Sequence, residues 1–166
     1  MEEVKSGNSV LKGIIYGVVF GVLTGVLWAY LNPIPIIPGM IHLRLFSFIP
    51  PVVGIIFGMR AGFCSGYIGT VVWALLAGAF LPLHSLIGDG IGVGLTGLIP
   101  ALMVGRKYTL KQIAEGGPIM WESLLWSLAG GVIMIILTCG SMAVLGIFDF
   151  YWAVFWIGLA IFLQFV

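Results

Sequence analysis

Charge is what this 166-residue chain has least of: 8% of its residues are Asp, Glu, Lys or Arg, against 61% that are hydrophobic. Soluble domains carry roughly a quarter charged residues, so the chain cannot build a water-facing shell around a buried core. Seven basic and six acidic residues leave a net charge of +1. That balance excludes a nucleic-acid-binding surface, and no basic run is interleaved with aromatic residues. Cysteine is scarce as well. Cys64 and Cys139 lie in separate apolar runs, which excludes a CxxC, zinc or disulfide framework and leaves both as small core residues. Catalytic signatures are missing: there is no GxSxG, HExxH, Walker-type loop or pair of catalytic carboxylates. The expectation is a chain that is not an enzyme, holds no metal or cofactor, and contains no ATP-driven motor of its own. Met1 to Lys12 is polar and runs into apolar sequence without a small-residue cleavage site, so a retained N-terminus is expected rather than a removable signal peptide.

What is present is apolar sequence in lengths that cross a bilayer, which takes roughly 20 residues per helix. The pattern predicts an all-α integral membrane protein, one compact bundle of six transmembrane helices over 13–31, 45–59, 62–81, 86–104, 119–145 and 151–166. Pro33 closes the first span, because its ring disfavours helix at the residue before it. Asn32 to Arg44 holds Pro33, Pro35, Pro38 and Gly39, too much proline for a helix and too little polarity for a solvated loop. It is expected to fold back onto protein. The second span is short and contains Pro50-Pro51, with a tight turn at Arg60-Ala61 before the third. Pro118 suits the first turn of the fifth helix, where a missing N–H costs no hydrogen bond. That span is long enough to require tilt.

Six crossings put both termini on one side. With the N-terminus in the cytoplasm, Lys5, Lys12, Arg60, Arg106, Lys107 and Lys111 all fall inside and Arg44 alone falls outside. This is the asymmetry of a multi-pass protein of the cytoplasmic membrane.

Glycine is abundant, with 25 residues. Gly13, Gly17, Gly21 and Gly25 recur every fourth residue, so they share one helix face and form a groove that another backbone can approach. Two uses fit this stripe, packing within the bundle or docking of a separate membrane subunit. Gly88, Gly90, Gly92, Gly94 and Gly97 crowd the fourth span, where they predict either close helix packing or an irregular helix beside a cavity.

On this topology His42, Arg44, His84, Asp89 and Asp149 sit at or near the external face. Asp89, between Gly88 and Gly90, stands about one turn inside the fourth span, where a carboxylate needs a partner or a wet cavity. It is a candidate ligand-binding group, with a structural pair to Arg44 or exposure at the helix end as alternatives. The two histidines are candidate ligand contacts or interfacial residues satisfied by backbone and water. Asp149 is a candidate contact or a turn marker. Trp28, Tyr30, Trp73, Tyr151 and Trp152 flank the same region as an interfacial aromatic belt, or as a stacking wall for a flat ligand. Glu122 suits the positive end of the fifth helix.

The segment from His42 to Gly105 resembles the membrane-embedded substrate-binding subunit, the S component, of energy-coupling factor transporters. Leu43-Arg44, then Ile49-Pro50, then Gly54, Gly58, Gly62, Gly66 and Gly69 is similar to that family's Arg, Pro and repeated-Gly order. The proline-rich first external segment looks like the family's lid over its site. The resemblance implies six helices and capture of a small vitamin-like or heterocyclic nutrient at the external face. It also implies reorientation within a complex with a shared transmembrane subunit and two ATPases, which use the ATP. Carried onto this chain, ligand contacts fall among His42, Arg44, His84, Asp89, Asp149 and Trp152, and partner docking on Gly13, Gly17, Gly21 and Gly25, where the family usually has alanine. Two rivals remain from other classes. One is a membrane scaffold of the cell-envelope machinery similar to the rod-shape-determining protein, which needs faces but no cavity. The other is a standalone secondary transporter, which needs coupling-ion residues or inverted repeats.

Overall fold

The computed structural model describes residues 2–31, 35–37, 41–42 and 45–155, with side chains described for 10–31 and 45–155. Four helices among the described residues are long and apolar enough to cross a membrane: Val10–Tyr30, Met59–Leu76, Leu83–Gly105 and Pro118–Val144. The chain is a helical, multi-pass membrane protein. Helix α1 spans Glu2–Tyr30, α2 Ile49–Phe57, α3 Met59–Leu76, α4 Asp89–Pro100, α5 Leu110–Glu115 and α6 Pro118–Val144. A further helix begins at 150 and is described to 155. Between α1 and α2, a minimal antiparallel ribbon pairs Pro35–Ile37 with Ile41–His42.

Two boundaries differ from expectation. The second span, placed at 45–59, is a helix of nine residues, which rises about 13 Å against the ~30 Å of a hydrocarbon core. Residues 45–48 form a turn before it, so α2 covers part of the bundle's height without crossing it. The break between α2 and α3 falls at Gly58, whose φ of 96° needs glycine, rather than at Arg60-Ala61. The sixth span, expected over 151–166, is described only for its first turn, and residues 156–166 lie outside the described residues.

The other spans follow the sequence closely, and local chemistry explains their ends. Pro118 opens α6 as anticipated. The α3 and α6 C-termini close alike, with a left-handed Gly78 or Gly146. The Ala79 amide reaches the Ala74 carbonyl at 2.9 Å and the Ile147 amide reaches that of Met142 at 3.1 Å, the outer bond of a Schellman motif. Within the polar connection, Thr109 and Gln112 form a capping box that starts α5, a short helix the hydropathy pattern does not reveal.

The span around α4 is not a plain α-helix. Leu83–Gly88 and Ala101–Gly105, on either side of it, are π-helical. Pro100 precedes the second of these segments; it cannot donate to the Thr96 carbonyl, and its ring crowds the turn before it. The Thr96 hydroxyl, one turn earlier, donates to the Val93 carbonyl at 2.7 Å.

Glycine brings these helices into backbone contact. A methyl group added to Gly54 or Gly62 would strike the Gly97 carbonyl, one on Gly66 would strike the Val93 carbonyl, and one on Gly130 would stand 3.0 Å from the Thr96 Cα. The crowded glycines of α4 thus serve close packing, and irregular helix flanks them on both sides.

The glycine stripe of α1 is used in the same way, which corrects the expectation of a partner-docking face. Gly13, Gly17, Gly21 and Gly25 are all buried. A Cβ on Gly17 would overlap that of Cys64, and one on Gly21 or Gly25 would come within 2.8 Å of Ile68 or 2.6 Å of Val72. Helix α3 of the same chain fills the groove. The exposed side of α1 carries Ile15, Val19, Val22 and Leu23 instead.

These contacts also sort the two ends of the bundle. Gly13 packs on Arg60 and Gly105 on Ile55, so Lys12, Arg60, Arg106 and Lys107 gather at one end. There the Lys107 ammonium pairs with the Glu122 carboxylate at 2.9 Å and the Tyr108 hydroxyl donates to the same carboxylate at 2.7 Å. Glu122 therefore clasps the connection to α6, rather than merely facing the helix dipole. The opposite end holds the main apolar core, built on Trp28, Trp73, Val93, Met134 and Cys139. Trp28 is 1% exposed and Trp73 7%, so both are core residues and not members of an interfacial belt. Tyr30 and Tyr151 remain exposed, as belt residues would.

Candidate functional site

At the end away from the basic residues, the π-helical segment 83–88 and the last turns of α6 enclose a buried polar cluster. His84, Ser85, Asp89 and Thr138 are all at most 7% exposed, and His84 and Asp89 are the ionisable side chains among the buried polar residues described.

The π turn is what brings His84 and Asp89 together. Residues five apart stand on different faces of a helix with 3.6 residues per turn. Here the Asp89 amide bonds to the His84 carbonyl, the i to i+5 pattern of a π-helix, and both side chains turn toward α6. The segment is held at its start by Ser85, whose hydroxyl accepts from the Leu81 amide at 3.0 Å.

From α6 come Thr138 and Ser141, three residues apart and so on one face. Thr138 donates to Asp89 Oδ1 at 3.2 Å. Ser141 donates to the Thr138 carbonyl at 2.8 Å, and its oxygen lies 2.8 Å from His84 Nδ1. With the serine proton directed at the carbonyl, Nδ1–H is the donor of the pair, which sets the histidine tautomer. Gly88 makes room for this contact, because a Cβ there would overlap the Ser141 hydroxyl. A carboxylate and an imidazole held this way can recognise a polar group without losing their own hydrogen bonds, which is what a buried binding site in lipid requires.

The remaining sequence-derived site residues fare differently. Asp149 is taken up by structure. Its Oδ1 accepts from the Tyr151 amide at 3.0 Å and the Trp152 amide at 3.4 Å, so it caps the helix starting at 150, the turn-marker role. Trp152 stacks on Phe148 with ring centroids 4.7 Å apart. The backbone of His42 lies in the ribbon, while its side chain and all of Arg44 lie outside the described residues. Thr138 and Ser141 were not singled out by sequence reading. Their signal was available as two hydroxyls, a helical turn apart, in the last turns of a long apolar span.

Beside the cluster runs a groove of about 270 Å³ between the 83–88 segment and α6. Among the described residues, no group of three or more His, Cys, Asp or Glu is placed to hold a metal ion. Comparison with known protein families, curated proteins and solved structures finds no match for this chain.

Proposed function

We propose that this chain captures a small vitamin-like or heterocyclic nutrient at the end of the bundle opposite its basic residues. It does so as the membrane substrate-binding subunit of an ATP-driven importer of the energy-coupling factor kind. The observation that carries this reading is Asp89, 4% exposed in a membrane-embedded helix and joined through Thr138 and Ser141 to His84. An intramembrane carboxylate kept in such a setting is costly and marks a binding or transport site by default. Basic residues gathered at the other end are consistent with that end being cytoplasmic, which makes the polar cluster external. Both termini inside belong to this same reading, in which the stretch joining α1 to α3, short α2 included, carries the chain back across the bilayer.

The chain has no nucleotide-binding loop, so uptake against a gradient requires a partner transmembrane subunit and two ATPases. Their docking face is not the α1 glycine stripe, which α3 occupies. A groove beside a polar cluster also favours ligand capture over a scaffold role, for which faces suffice.

The test is to identify by mass spectrometry a small molecule released from the purified protein, and then to titrate it back. Asp89→Asn should weaken its binding about tenfold, ~1.4 kcal/mol. Unchanged affinity removes Asp89 from the site.

A further inference from the structure

We infer that the ligand is an apolar molecule carrying a hydrogen-bond donor, and that it reaches the polar cluster sideways from the bilayer through the groove between the 83–88 segment and α6. This inference rests on the reading of the cluster as a binding site and adds the chemistry of what binds.

The groove is built for hydrocarbon. Leu83 and Ile87 line it from the π-helical segment and Ile136 and Val144 from α6, with Gly88 and Ser141 between them. Ile87 and Ile136 are each 54% exposed, on the outer surface of helices that span the membrane. The groove is therefore open toward lipid. Its volume of about 270 Å³ lies just under the usual range for small-molecule pockets. That suits a ring system or one short chain and is too small for a whole two-chain lipid.

Among the described residues its polar side chain is Ser141. The Ser141 proton is directed at the Thr138 carbonyl, and one lone pair of its oxygen receives the His84 Nδ1–H. A serine oxygen has two acceptor positions, so one remains on a half-buried residue that lines the groove. A hydroxyl or N–H on an apolar body satisfies it. A carboxylate, which only accepts, does not. Gly140 widens the same groove, since a Cβ there would meet nothing within 4 Å.

The experiment uses the full chain in phosphatidylcholine vesicles and a pair of photoreactive probes, a medium-chain alcohol bearing an alkyl diazirine and its methyl ether. The alcohol should label the α6 stretch 136–144 about fivefold more than the ether, the size of one hydrogen bond. Ser141→Ala should lower alcohol labelling to the ether level. Gly140→Trp, whose Cβ meets nothing within 4 Å, should cut labelling of that stretch severalfold for both probes. Equal labelling by alcohol and ether would mean ordinary lipid contact and would overturn the proposal, as would full labelling of the Gly140→Trp protein. If either occurs while a co-purified ligand still binds in an Asp89-dependent way, the capture reading stands and the lateral groove alone is wrong.

Discussion

Gly62 and Gly97 face each other across the α3–α4 crossing so closely that a methyl group on either would strike the carbonyl oxygen of the other. A lipid-embedded bundle gains little from hydrophobic exclusion between helices, so close backbone approach and dispersion contacts must supply the attraction. Gly54 joins the same crossing from α2, with its Cα 2.6 Å from the Cβ position of Gly62.

Gly62→Ala should destabilise the protein by roughly 1–3 kcal/mol, the cost of overpacking a rigid contact. Thermal unfolding in detergent measures it. Gly140→Ala is the matched control: nothing opposes its Cβ, and it should be neutral or stabilising by up to ~1 kcal/mol. Equal losses in the two variants would disprove the crossing.

Gly17→Leu with Gly21→Leu should unseat α1 from α3, because each new side chain meets Cys64 or Ile68 within the same chain. The expected result is a low yield of folded protein and a lowered unfolding temperature. A normally folded double variant would mean that the stripe is free for a partner after all.

Asp149→Ala should lower stability by about 1 kcal/mol through loss of the cap while leaving ligand affinity unchanged. Weakened binding in a titration would return Asp149 to the site. Thr138→Val should act on both quantities, since it leaves the buried Asp89 carboxylate short of a donor, at about 1–3 kcal/mol.

Glu122→Gln should loosen the 105–117 connection, detected as faster trypsin cleavage after Arg106, Lys107 and Lys111. Hydrogen bonding to Tyr108 and then to Glu122 holds the Lys107 pKa above its ordinary value. A raised lysine pKa means that the lysine's contribution to the clasp is fully present below its unfolded value and is lost as pH rises through the folded one, while protonation of the Glu122 carboxylate breaks the pair in acid. The protection of the connection against hydrogen exchange, relative to the unfolded chain at the same pH, should accordingly hold through neutral pH and fall in acid and at strongly alkaline pH.

Much of the fold is legible in the chain alone. Length and apolarity placed the spans near 13–31, 86–104 and 119–145, and Pro118 marked the start of α6. The second span was not, because nine helical residues with Pro50-Pro51 and a preceding turn carry the same hydropathy as a crossing. His84 and Asp89 were legible as isolated polar residues in an apolar context. Their association was not, since an α-helical period separates them and only the π turn reunites them. Thr138 and Ser141 went unnoticed because a hydroxyl on a membrane helix usually bonds back to its own backbone, as Ser141 also does here.

Composition and the sorting of a few charges are local properties, and they suffice to make this a multi-pass membrane chain with basic residues grouped apart from Asp89. Which glycines meet which helix is a pairwise property, and a stripe of small residues looks the same whether its partner is in the chain or outside it. Only the packed structure decides that α3 fills the α1 groove. Only the same packing, by bringing a π-helical turn against the last turns of α6, turns four scattered polar residues into one cluster.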